Sequence, residues 1–197
     1  MFRPNTFIMK LILSDFFLQS GWGILGPVYA IFIVNRIEGG TIGTVGLAIG
    51  IYWISKATIQ PFVSHYMDVV KGEEDDLNFL MKGLFVLSIT PLGFILATSI
   101  WHVFLIELIR GMAMACVLPA WMGLFTRHID KDWEAFSWGI RNTFLAYSMG
   151  IAAIFGGFIA EFIGFDLIFV FVSLSSLVSA ISVYHIKRKM YPLEHEK

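Results

Sequence analysis

At 197 residues, 57% of them apolar and only 15% charged, with a mean hydropathy of +0.74, the chain is too apolar for a soluble domain, in which about 25% of residues are charged. Its net charge of −1 offers nothing to attract nucleic acid, and its single cysteine, Cys116, excludes a disulfide framework. The composition points to an all-α membrane protein embedded in the lipid bilayer.

The first apolar span is expected over 10–34. Arg3 and Lys10 ahead of it look like the start of a signal peptide, but Asp15 and Gln19 interrupt the run and it continues to Val34 without a small-residue cleavage site. It therefore reads as a retained helix. Spans two to six are expected over 42–63, 79–98, 101–125, 136–162 and 167–184. Each is long enough to cross ~30 Å of hydrocarbon at 1.5 Å per residue. Each must be helical, because lipid offers no partner for free backbone N–H and C=O groups. Gly39-Gly40, Ser99 and Gly164 mark the tight turns. A single six-helix transmembrane domain over 1–197 results, with no room for a soluble catalytic domain.

Basic residues alternate with the spans. Arg3 and Lys10 precede the first, Lys71 and Lys82 belong to the 2–3 connection, Arg127 and Lys131 to the 4–5 connection, and Lys187, Arg188, Lys189 and Lys197 to the tail. Those ten lie on one side, against Arg36 alone on the other. By the positive-inside rule both termini are expected in the cytoplasm, with the chain in the plasma membrane. The acidic run Glu73-Glu74-Asp75-Asp76 reads as a solvated loop.

Charges inside the spans carry the functional reading, since each costs at least about 2.5 kcal/mol near the bilayer centre unless it pairs or lines a cavity. They are Asp15, Lys56, Glu107, Arg110, Arg141 and Glu161, on spans 1, 2, 4 and 5 only. This division suggests two supporting, lipid-facing helices and four cavity-facing ones. Lys56 sits too deep to snorkel and shares a face with Tyr52 and Gln60, so it is expected to line a cavity. Glu107 and Arg110, one turn apart, form either a structural clasp or part of the cavity. Asp15, with Gln19 on its face, is either a cavity or an interfacial residue. Arg141 is expected to snorkel to the nearer membrane surface, and Glu161 to be solvated.

Small residues draw two seams. In span 5, Ala146, Gly150, Ala153, Gly157, Ala160 and Gly164 share a face; in span 2, Gly43, Gly46, Gly50 and Ala57 do. Helices approach closely along such faces, whether the partner lies within the chain or outside it. The span 2 seam is about 110° around the helix from Lys56, at ~100° per residue. A faint repeat is also present. Asp15 precedes Pro27 by twelve residues and Glu107 precedes Pro119 by twelve, with Tyr29 and Trp121 two residues beyond. Both prolines are expected to bend their helices. Spans 1 and 4 run in opposite directions, as in a three-plus-three inverted repeat.

The stretch Pro61-Phe62-Val63-Ser64-His65-Tyr66-Met67-Asp68, followed by Lys71-Gly72, resembles the helix 2–3 signature of the major facilitator superfamily, Gly-x-Leu-Ala-Asp-Arg-x-Gly-Arg-Arg. Asp68 matches the signature aspartate, while Ser64, Tyr66 and Val69 replace its glycine, leucine and arginine. Arg110-Gly111 is similar to the helix 4 arginine motif, and Gly150 with Gly156-Gly157 to the glycine-rich helix 5. The chain thus resembles a single six-helix half of such a transporter, the N-terminal half above all. In that family helices 2 and 5 of each half meet the other half. The resemblance implies a homodimer that rebuilds a twelve-helix transporter, with Gly46, Gly50, Gly150 and Gly157 at the packing seams. Asp68 would serve as a gating residue against the partner.

The expected function is secondary transport of a small molecule by alternating access. Lys56, Arg110, Glu107, Asp15, Gln19, Tyr52 and Gln60 would line the substrate cavity, and Asp15 or Glu107 would carry a coupling proton. Lys56 and Arg110 suit an anionic or hydroxyl-rich substrate. No Gly-x-x-x-x-Gly-Lys-[Ser/Thr] loop and no His/Glu metal-ligand spacing is present, so no metal, cofactor or enzymatic activity is expected. Two rival readings are a half-transporter or fragment needing a different partner, and a non-transporting membrane scaffold.

Overall fold

A computed structural model describes residues 5–70 and 72–191. Arg3, Lys71 and Lys197, which contribute to the charge asymmetry, lie outside the described residues. The described chain forms α1 (Thr6–Leu25), α2 (Tyr29–Arg36), α3 (Ile42–Val69), α4 (Glu73–Leu96), α5 (Ile100–His128), α6 (Glu134–Phe162) and α7 (Phe165–Met190). All but α2 are long and apolar enough to cross a membrane.

The first span is broken. Gly26, Pro27 and Val28 form a turn between α1 and α2, where Val28 N–H donates to the Leu25 carbonyl at 3.1 Å. Pro27 has no N–H to continue the helix, and Gly26 beside it is a poor helix former. The matching Pro119 does not break its helix: α5 runs through it, as α3 runs through Pro61 and α4 through Pro91. Polar caps fix the starts. Asn5 Oδ1 accepts from Phe7 N–H, and Thr41 and Thr44 form a reciprocal capping box on α3. The turn before α3 needs glycine: Gly39 has φ +80°, and a Cβ on Gly40 would fall 1.9 Å from the Ile33 carbonyl oxygen.

The acidic run is not a loop. Glu73, Glu74, Asp75 and Asp76 form the first turn of α4, where the partial positive charge of a helix N-terminus favours carboxylates. Asp76 is only 2% exposed and pairs with Arg127 of α5. Glu74 meets Lys187 of α7 at 3.1 Å, and the Glu73 carboxylate lies 3.8 Å from His128. The run therefore ties three helices together at the basic end of the bundle. Lys82, assigned to the connection, lies within α4.

Packing follows the repeat. α3 lies on α5 as α6 lies on α1; α4 lies on α5 as α7 lies on α1; and α4 and α7 pack on each other. Exchanging the first three spans with the last three preserves every one of these pairings. One apolar core, including Leu11, Leu80, Leu124 and Phe125, fills the half nearer the basic end. The other half is built around Phe32, Phe94 and Phe169, whose rings lie within 6.1 Å of one another. α4 and α7 back the central pair α1 and α5. It is α3 and α6 that are the bare flanks, with 17% of span residues buried against 39–56% in the other four.

A candidate substrate cavity

The predicted site residues divide between neighbouring compartments on α1, α3 and α5. A half-open cavity of about 290 Å³ is lined by Gln19 and Trp22 of α1, Tyr29 at the start of α2, Tyr52 and Trp53 of α3, and Arg110 of α5, with aliphatic side chains between them. The Arg110 guanidinium lies 4.6 Å from the Trp22 ring centre and 4.1 Å from that of Tyr52, so two aromatic faces hold the cation. Its Nη2 is 2.7 Å from Glu107 Oε2. Glu107 is fully buried and also accepts a hydrogen bond from the Tyr29 hydroxyl. Glu107 and Arg110 are thus a clasp and a cavity wall at once, because only the arginine reaches the lining. The break at Pro27 sets Tyr29 opposite Glu107.

Asp15 lies beside this cavity rather than in it. Its carboxylate accepts from Arg141 Nε at 2.9 Å and from Gln19 Nε2 at 3.2 Å. The group borders a pinched void of about 10 Å³ that Arg141, Trp121, Ser14 and Ser179 also line. A space that small holds one water at most. Arg141 does not snorkel. It turns inward from α6, lies 4.9 Å from the Trp121 ring centre and pairs with Asp15 at 2.8 Å. Gln19 borders both spaces and links the Asp15 pair to the cavity. Glu161, near the end of α6, is exposed.

Lys56 lies on the other side of Trp53. It is 9% exposed, its ammonium is 4.8 Å from the Trp53 ring centre, and it borders a groove of about 350 Å³ with Gln60, Ser64 and Leu118. Gln60 and Ser64 also line a third space of about 270 Å³ with Asp68, Asp76 and Arg127. The i+4 series Tyr52, Lys56, Gln60, Ser64, Asp68 thus runs along α3 from the cavity to the basic end.

A Cβ on Gly46, Gly50, Gly150 or Gly157 would meet nothing within 4 Å, so these four make no close approach within the chain. The close approaches belong to Gly111, where a Cβ would fall 2.0 Å from Ser55 Oγ, and Gly156, where it would fall 2.2 Å from the Ile24 carbonyl oxygen. Sequence reasoning quoted both only as motif letters. It missed Asp76 and Arg127 as a pair and Trp121 as the platform for Arg141. Spacing alone cannot reveal contacts between residues so distant in sequence.

A polytopic helical bundle with a charged aromatic cavity between its central helices and two bare flanking helices has the form of a transporter half. A family model for the Major Facilitator Superfamily matches residues 11–196, and the chain belongs to that superfamily. It is 28% identical over 138 residues to the proton-coupled antiporter flippase LtaA of Staphylococcus aureus (strain MSSA476), an alignment covering 69% of this chain and 33% of that protein. The flippase of the same name from Staphylococcus haemolyticus (strain JCSC1435) is 30% identical over 111 residues, 55% of this chain and 28% of that protein. The chain thus aligns with about a third of the length of the curated relatives it matches.

Proposed function

We propose that this chain is one half of a secondary active transporter, moving a small solute by alternating access, and that a second copy of the chain supplies the other half. The observation that carries the reading is the half-open cavity lined by Trp22, Tyr29, Tyr52, Trp53 and Arg110. It lies between the central helices, with one wall incomplete. The second bundle closes that wall by packing on α3 and α6. Support comes from the bare glycines there and from the superfamily's pattern, in which helices 2 and 5 meet the other half. A twofold axis brings each seam against its counterpart. Asp68, at the end of α3, then faces the start of the partner's α6, where a helix N-terminus attracts an anion, and latches one gate.

The basic end faces the cytoplasm and the membrane is the plasma membrane, as the positive-inside asymmetry supports. Protons are the coupling ion, carried by Asp15 or Glu107, the two carboxylates buried against the cavity. The Staphylococcus relatives are proton-coupled antiporter flippases by name, which supports proton coupling. The chain performs no enzymatic chemistry of its own.

The test is a solute panel in proteoliposomes containing the purified chain, with and without an imposed proton gradient. Gradient-dependent accumulation of at least one solute, lost in Arg110→Ala with normal insertion, is the expected result. No transport of any solute by a well-inserted protein would favour a membrane scaffold. Transport appearing only on adding a second six-helix protein would favour a half that needs a different partner.

A further inference from the structure

Away from the helix ends, five charged side chains of the described spans are buried or half-buried: Asp15, Lys56, Glu107, Arg110 and Arg141. Both carboxylates are matched, Asp15 with Arg141 at 2.8 Å and Glu107 with Arg110 at 2.7 Å. Lys56 is the remainder. Among the described residues it has no carboxylate within ion-pair distance and no hydrogen-bond partner; its one specific contact is the face of Trp53. Its side chain is only 9% exposed, and its ammonium opens onto the groove between α3 and α5. An ammonium within a membrane span that opens onto a groove without a counter-ion lacks its charge partner. The other polar groups bordering the groove, Gln60 and Ser64, are neutral.

Trp53 forms a shared wall: one side borders the Lys56 groove, the other the aromatic cavity. The cavity itself contains no uncompensated charge, because Glu107 neutralises Arg110. A molecule occupying both spaces therefore meets aromatic rings and aliphatic chains on one side and a single positive charge on the other. We propose that Lys56 is the recognition point for one negative charge on the solute. The solute is an amphipathic monoanion whose carboxylate, sulfonate or phosphodiester sits at Lys56 and whose apolar or ring body lies against Trp53 and the cavity. A lysine suits this role because it acts as a compact point charge that accepts any of these anions, whereas an arginine selects planar, bidentate partners. The inference rests on the transport reading for the site's purpose, but the binding it describes is measurable without transport.

The experiment is calorimetric titration of the full chain in phosphatidylcholine nanodiscs with three probes of one shape: naphthalene sulfonate, naphthalenemethanol and naphthalenemethylamine. The sulfonate is expected to bind about tenfold or more tightly than the alcohol, and the amine to show no binding. Lys56→Gln is expected to bring sulfonate and alcohol within about twofold of each other, with thermal stability in detergent unchanged or raised, since the variant removes an unpaired charge. Equal binding of sulfonate and alcohol by the native chain would overturn the proposal, whatever the variant does; so would a preference that survives in Lys56→Gln. Two arms identify the natural source of the anion. Loss of sulfonate binding in nanodiscs doped with phosphatidylglycerol points to a lipid phosphate, and displacement by added octanoate in undoped discs points to a soluble acid; both support the site. Proteoliposome flux separates this idea from the parent reading. Selective binding without flux overturns transport and leaves the anion site. Flux of neutral solutes that is unchanged in Lys56→Gln overturns the anion site and leaves transport.

Discussion

Arg141 shows how one side chain is placed by a partner rather than by its depth in the membrane. Two turns from the start of α6 it has an easy route to the membrane surface, yet it turns inward to Asp15 across the Trp121 ring. The route inward wins because Asp15, 8% exposed, would otherwise be an unpaired carboxylate in the bundle interior. Removing one partner of a buried pair is costly because the other charge remains, typically by about 3 kcal/mol, whereas removing both is much less so. Arg141→Met should therefore lower the unfolding free energy in detergent by about that amount. The double variant Asp15→Asn with Arg141→Met should recover more than half of the loss. A double variant no more stable than the single would show that the charge pair is not what the site depends on. A second residue-scale expectation concerns Trp121, whose indole also donates to the Leu11 carbonyl at 3.2 Å. Trp121→Leu should lower the melting temperature, because it leaves that carbonyl with one partner fewer and removes the ring beneath Arg141.

Among helices, close approach is decided by a few glycines, and not the ones that spacing marks. Gly111 lets α5 rest directly on the α3 backbone, and a Cβ there would fall 2.6 Å from the Tyr52 carbonyl oxygen. Neither backbone can yield without separating the helices that hold Arg110 and Tyr52 together. Gly111→Leu is therefore expected to destabilise the bundle by at least the 1–3 kcal/mol of ordinary overpacking, roughly. It should also quench the cavity, read as loss of probe binding alongside the lower melting temperature. Gly46→Leu, on a face with nothing within 4 Å, should leave the melting temperature of the isolated chain unchanged. The contrast explains what the sequence could convey. Hydropathy and length marked the six crossings, because any segment that spans lipid must be long, apolar and helical. The glycine periodicity marked a face on α3 and another on α6, but periodicity says nothing of what a face meets. The acidic run looked like a loop because four adjacent carboxylates suit water. Within the helix its carboxylates meet Arg127, His128 and Lys187, which lie more than fifty positions away. Pro27 and Pro119 looked equivalent, yet only the one preceded by glycine breaks its helix.

For the molecule as a whole, the symmetry of the packing bears on assembly. The two central helices, their two backing helices and the two flanks form equivalent sets, and each flank packs chiefly on one central helix, α3 on α5 and α6 on α1. The bare sides of α3 and α6 present Gly46, Gly50, Gly150 and Gly157 beside exposed Trp53, Ile54, Ile154 and Phe158. In lipid, apolar exposure alone does not drive association, so small residues that let backbones approach closely become the main determinant of a helix interface. If two copies join across these faces, bulk at the seams must separate them without disturbing either bundle. The double variant Gly50→Trp with Gly150→Trp is therefore expected to convert a dimeric mass in detergent to a monomeric one, while circular dichroism and the melting temperature of the monomer stay as they were. Light scattering of the native chain settles the premise. A native protein that is monomeric across detergents and in nanodiscs large enough for two copies would leave the seams facing lipid, and would overturn the assignment of the second half to a second copy of this chain.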